Sequence, residues 1–235
     1  MSGLFQMMRV DLKVGTRNYT YLLYLAVAFA YGLVIRAFPQ TYRPTVAVLL
    51  LFFEPALLGF TFVGTIVMGE KKDGTIHALS VTPASWRDYY LSKTLQMSLL
   101  GLLGAVIILA IGVGLDWGVA LPLLGVFLTS VVYTLFGIGI SASYRDLDEY
   151  FVPLMVVLVI SILPFAHHYN LIAGAWTKVL YVIPSYPSLF LLSSLFEKVA
   201  GETVLLSVVS LGVWSAVAYV LAQAQFYRRA VEALR

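Results

Sequence analysis

Cysteine is absent from this 235-residue chain, and charge is scarce. The first absence excludes disulfides, thiol nucleophiles and cysteine metal sites, and leaves the redox compartment unreadable. The second excludes an ordinary water-facing surface. Charged residues make up 11% and hydrophobic residues 60%, against roughly 25% charged in a typical soluble domain. No G-x-x-x-x-G-K-[ST] loop is present, so the chain does not cradle nucleotide phosphates by that route. It has no Ser/His/Asp arrangement and no basic patch of the kind nucleic acids require. His167 and His168 are adjacent, with no acid or cysteine beside them, so a metal site is not expected there. Internal repeats, low-complexity tracts and a separate soluble domain are also missing. The first long apolar run starts near Tyr19 without a small-residue cleavage site after it, so it reads as a retained membrane span rather than a signal peptide.

What is present is a series of long apolar runs, each near the ~20 residues a helix needs to cross a bilayer. Six spans are expected: Tyr19–Phe38, Thr45–Met68, Leu91–Leu115, Val119–Ser141, a short one at Tyr150–Pro164, and Thr203–Tyr227. Lys and Arg favour the cytoplasmic side of such a chain. With both termini inside, Arg9, Lys13, Arg17, Lys71, Lys72, Arg87, Lys93, Arg145, Arg228, Arg229 and Arg235 face the cytoplasm. Only Arg36, Arg43, Lys178 and Lys198 face out. A seventh span through the apolar segment 165–202 would move the last three arginines outside. That segment, broken by Pro184 and Pro187, is therefore read as re-entrant, dipping into the outer face and returning. Such backbone must lie against protein or a wet cavity. The alternative is a hydrophobic loop on the membrane surface.

Residues 1–18 read as an interfacial helix. Gln6, Arg9, Lys13 and Arg17 fall on one stripe, and Phe5, Met8 and Leu12 on another. Gly101 with Ala105, and Gly137 with Ser141, have the spacing that lets helices approach closely.

The longest polar interruption, "GEKKDGTIHALSVTPASWRDYYLSK", joins spans two and three and falls on the cytoplasmic side of the charge count. Gly74 suits the end of the helix leaving the membrane, because glycine tolerates left-handed backbone angles. Thr75 can cap a short helix through "IHAL", and Thr82–Pro83 fits a cap followed by a first-turn proline. Ser85 and Asp88 form a shortened capping box. Trp86, Tyr89, Tyr90 and Lys93 then mark the interfacial belt where span three enters. A short crosswise helix with a rigid corner can transmit a push that a flexible linker cannot.

As a set, Glu70, Lys71, Asp73, Gly74, Thr75, Leu79, Thr82, Pro83 and Lys93 resemble the signature of ABC-2 type (type 2 exporter) ABC transporter permeases. The resemblance extends over most of the chain: the amphipathic start, six spans, the polar "YRDLDEY" loop, and "YVIPSYPSLFLLSSLF" as a looser counterpart of the family's outer stretch. It implies one permease domain over residues 1–235, all-α and integral to the plasma (inner) membrane. It also implies a second permease subunit, identical or not, and separate ABC ATPase subunits that hold the ATP and Mg. This chain would hold no cofactor of its own. The segment 69–90 would be the coupling segment. Glu70, Lys71, Asp73, Gly74, Thr75, Ile76, His77 and Leu79 would serve the ATPase contact, with Thr82 and Pro83 at its corner.

Glu54, in "LFFEPALLG", is the one acid deep in a span. An intramembrane carboxylate is costly and by default a functional hypothesis. It is a candidate for the translocation path; the alternative is a structural acid bonded to a neighbouring helix. Asp146, Asp148 and Glu149 suit the N-terminus of span five, where negative charge is favoured. The expected function is outward transport of a small amphipathic or lipid-like substrate, in a membrane whose lipid is the other partner. The alternatives are a membrane scaffold that recruits a cytoplasmic protein through the same loop, and an intramembrane enzyme built on Glu54 and the histidines.

Overall fold

The computed structural model describes residues 3–17, 19–80, 85–115, 117–144, 146–169, 180 and 182–233, and the statements below concern these. Every regular element among them is helical. The helices are α1 (Gly3–Arg17), α2 (Thr20–Ala37), α3 (Arg43–Lys72), α4 (Thr75–Ser80), α5 (Trp86–Gly112), α6 (Ala120–Ser141), α7 (Leu147–His168), α8 (Ser185–Ser193) and α9 (Gly201–Ala233). A single 3₁₀ turn, Trp117–Val119, leads into α6.

Helices α3, α5, α6, α7 and α9, the last counted to Phe226, are long and apolar enough to cross a membrane. A sixth crossing is available if α1 and α2 are taken as one broken span, since the chain bends by 71° between them. By itself α2 has 18 residues, about 27 Å of helical rise.

Several helices run past the expected span edges, and two of these extensions shape the bundle. The fifth apolar run is not short: α7 has 22 residues and carries Pro153 and Pro164 inside it. Neighbouring helices in a bundle tolerate the carbonyls that an internal proline frees. His167 and His168 accordingly fall in its last turn. The second run also extends further than its apolar part, because α3 continues as helix through Gly69, Glu70, Lys71 and Lys72.

Helix ends follow local chemistry. Pro44 stands in the first turn of α3. Past the end of that helix, Gly74 takes φ +70° and turns the chain. Thr75 is the first residue of α4 rather than its cap; the Gly74 carbonyl accepts from the Ala78 N–H at 3.0 Å. Ser85 caps α5 by accepting the Asp88 N–H at 3.1 Å, the forward half of the expected box. Asp146 occupies the N-cap position of α7 without capping it through its side chain.

The axis of the bundle is α6, which packs on α3, α5, α8 and α9. Close approach comes from missing side chains: a Cβ on Gly137 would stand 3.0 Å from the Phe60 carbonyl of α3. Around this contact, Phe52 packs on Phe165 at 4.6 Å and on Tyr133 at 5.7 Å between ring centroids. Tyr150 stacks on Phe60 and donates to the Phe60 carbonyl at 2.8 Å, joining α7 to α3. Within the segment 165–202, the short helix α8 is buried against α3, α6, α7 and α9, with Leu189, Leu191 and Leu192 fully covered. Residues 170–179, Lys178 among them, lie outside the described residues. The exposed faces of α2, α7 and α9 are rows of Leu, Val, Ile and Phe, a surface suited to lipid rather than to water.

Candidate functional site

One end of the bundle gathers a cluster of buried and half-buried charges around Lys93. The last turn of α3 contributes three consecutive charged residues, Glu70, Lys71 and Lys72. Successive side chains on a helix diverge by about 100°, so each meets a different neighbour. Glu70 turns toward α5, where it accepts from Lys93 Nζ at 2.6 Å and from the Tyr89 hydroxyl at 2.6 Å. Lys71 reaches the C-terminus of α6 and donates to the carbonyls of Ser141 (2.8 Å), Ala142 (2.7 Å) and Tyr144 (3.1 Å). Those carbonyls lie at and just past the end of α6, where a cation is favoured by the helix dipole. Lys72 pairs with Asp146 at the start of α7, at 2.9 Å. Both side chains of that last pair are mostly exposed, so water screens it and it adds little stability.

Lys93 is the hub. It is 2% exposed, and its ammonium also binds Asp11 of α1 at 3.1 Å. The second Asp11 oxygen accepts from Ser92 at 2.8 Å, and Lys93 lies 5.0 Å from the centre of the Tyr89 ring. One ammonium thus ties α1, α3 and α5 together. Nearby, Tyr21 of α2 donates to the Asp11 carbonyl at 3.3 Å and accepts from Gln96 of α5. Asp11 and the buried position of Lys93 were not anticipated. The signal available in the sequence was an acid on an otherwise cationic amphipathic helix.

The short helix α4 lies beside this cluster. Ile76 and Leu79 pack against the apolar cluster that includes Val63, Val67, Tyr89 and Phe226, while Asp73, Thr75 and Ala78 are exposed. The His77 side chain, Thr82 and Pro83 lie outside the described residues. Of the expected coupling residues, then, Glu70 and Lys71 face their own chain, and Asp73 and Thr75 face out. Between α1, α3, α4 and α5 is a cavity of about 770 Å³, lined by apolar side chains together with Asp11, Glu70, Asp73 and Lys93.

Glu54 is elsewhere, midway along α3 and fully buried. It accepts a hydrogen bond from the Tyr24 hydroxyl of α2. Its second oxygen has no hydrogen-bond partner among the described residues. It lies against Gly104 of α5, where any Cβ would overlap the carboxylate. The acid therefore joins α2, α3 and α5. No group of three or more His, Asp or Glu able to hold a metal is found among the described residues.

Among the described residues the apolar helices are those of a multi-pass membrane protein, with a charged, cross-linked end and a short helix beside it. The class is that of the ABC-2-type exporter permeases. More particularly, the profile of the Fluoroquinolones export permease protein family matches residues 2–234, and the chain belongs to that family. It is similar to the fluoroquinolones export permease protein MT2761 of Mycobacterium tuberculosis (strain CDC 1551 / Oshkosh), with 29% identity over 205 residues. That alignment covers 85% of this chain and 84% of the relative. Rv2687c, the fluoroquinolones export permease protein of strain ATCC 25618 / H37Rv, is similar to the same extent.

Proposed function

We propose that this chain is the membrane subunit of an ATP-driven exporter, with ATP bound and hydrolysed on separate ATPase chains and a second permease completing the path. In this reading the charged end faces the cytoplasm, both termini are inside the plasma membrane, and α2 completes six spans. Helix α1 lies along the headgroups, exposing Arg9 and Lys13, and α8 belongs to a re-entrant outer segment. The observation that carries the coupling role is the fan of contacts from Glu70, Lys71 and Lys72. Displacement of α4 and its junction is passed directly to α5, α6 and α7. Asp73 and Thr75 offer the exposed contact to the ATPase, while Glu70 and Lys71 transmit the movement within the chain.

The substrate is a small amphipathic or lipid-like molecule, and a fluoroquinolone is the first compound to try, since the relatives are described as exporting it. Glu54 meets a path only when α2 and α5 part, because both cover it in this conformation. The deciding experiment is transport into inverted vesicles containing the permease and its ATPase. ATP-dependent uptake, lost when Asp73 and Thr75 are both changed to Arg, supports export. A stable ATPase complex that moves no substrate supports the membrane-scaffold alternative.

A further inference from the structure

The cavity between α1, α3, α4 and α5 has a volume typical of small-molecule sites, which span ~300–1,000 Å³. Its walls are Met7, Val10, Ile66, Ile76 and Leu79 with the faces of Tyr21 and Tyr89. Its charge is unbalanced. The described lining carries three carboxylates, Asp11, Glu70 and Asp73, against one ammonium, Lys93. Lys93 takes one oxygen of Asp11 and one of Glu70, and Ser92 and Tyr89 take the others. Each carboxylate oxygen has a second lone-pair site left. The Asp11 and Glu70 side chains are 18% and 21% exposed, so a ligand can reach them. Asp73 is exposed at the mouth.

We propose that this cavity binds an amphipathic organic cation, its apolar body against Met7, Val10 and Ile76 and its positive end toward Asp11, Glu70 and Asp73. An anionic lipid of similar shape is disfavoured by the same surplus of negative charge. That the bound cation is cargo rests on the export reading above; the binding itself does not.

The test uses the full-length permease purified in detergent without an ATPase, and two ions of matched shape and opposite charge, tetraphenylphosphonium and tetraphenylborate. Equilibrium dialysis should show saturable binding of the cation and none of the anion. Asp73→Asn should weaken the cation by roughly threefold to fivefold, the scale of one partly exposed ion pair. Val10→Trp, which fills the mouth from the exposed side of α1, should abolish binding while helicity and elution volume stay those of the parent. Equal binding of the two ions, or cation binding untouched by Val10→Trp, overturns the proposal. Cation binding at this site by a permease that exports nothing with its ATPase upholds the site and refutes the export reading. Vigorous export by a permease that binds no cation here does the reverse.

Discussion

Lys93→Met puts the hub to its most direct test. The side chain keeps its length and apolar stem and loses only the ammonium. Asp11 and Glu70 would then face each other with neutral donors alone, Ser92 and Tyr89. Removing one partner of a wholly buried ion pair costs ~3–5 kcal/mol. Here the two carboxylates are 18% and 21% exposed, so hydration returns part of that loss, and about 2–3 kcal/mol is expected. For a chain of this size ~1 kcal/mol corresponds to ~2–4 °C, which places the fall in melting temperature in detergent near 5–10 °C. A second readout follows α1 itself. The chain has no cysteine, so a single Met7→Cys gives one labelling site; maleimide should react faster when Lys93→Met loosens α1 from α5. Replacing all three charges by apolar residues (Asp11→Leu, Glu70→Leu, Lys93→Met) should recover most of the lost stability. A loss below ~0.5 kcal/mol in the single variant, the scale of an exposed pair, or a triple variant no more stable than the single, would refute the hub.

Other outcomes follow from neighbouring contacts. Gly74→Val should cost about 1–2 kcal/mol from the left-handed backbone alone, since a Cβ there meets nothing within 4 Å; Gly74→Asn should recover most of it in the same melting assay. Tyr24→Phe removes the hydrogen bond that Glu54 accepts among the described residues and should cost ~1–3 kcal/mol, a loss that Tyr24→Phe with Glu54→Leu should reduce. Glu54→Gln that lowers vesicle export while keeping the melting temperature would put this residue on the path. Single cysteines at Lys72 and Lys198 should label from opposite sides of intact cells, Lys72 only after permeabilisation; labelling of both from one side would overturn the proposed topology.

Much of the helix arrangement was legible because hydropathy and helix-end chemistry are local. The long apolar runs, the Gly74 turn and the Ser85 cap each depend on residues a few positions apart. The length of α7 was missed because Pro164 reads as an end in water, whereas packed neighbours allow the helix to run past it. The charged hub was illegible for a different reason. Asp11 and Lys93 stand 82 residues apart, and nothing local distinguishes Lys93 from an ordinary interfacial lysine at a span entrance. Tyr24 and Glu54, 30 residues apart, met the same limit: the acid was conspicuous, but the partner was one tyrosine among 15. Lys71 was noticed for its place in a motif, yet its destination depends on where α6 ends.

The three consecutive contacts of the α3 terminus also set where this molecule can bend. An end cross-braced to three other helices resists deforming under an applied force. It turns it into tilt. From Lys72 back to Arg43, α3 has 30 residues, a lever arm of about 45 Å. A rotation of ~10° at the braced end displaces the other end by roughly 8 Å over that arm. In the export reading proposed above, the braced end is the grip of the lever, and Pro55 inside α3 sets how much of the tilt reaches its far end.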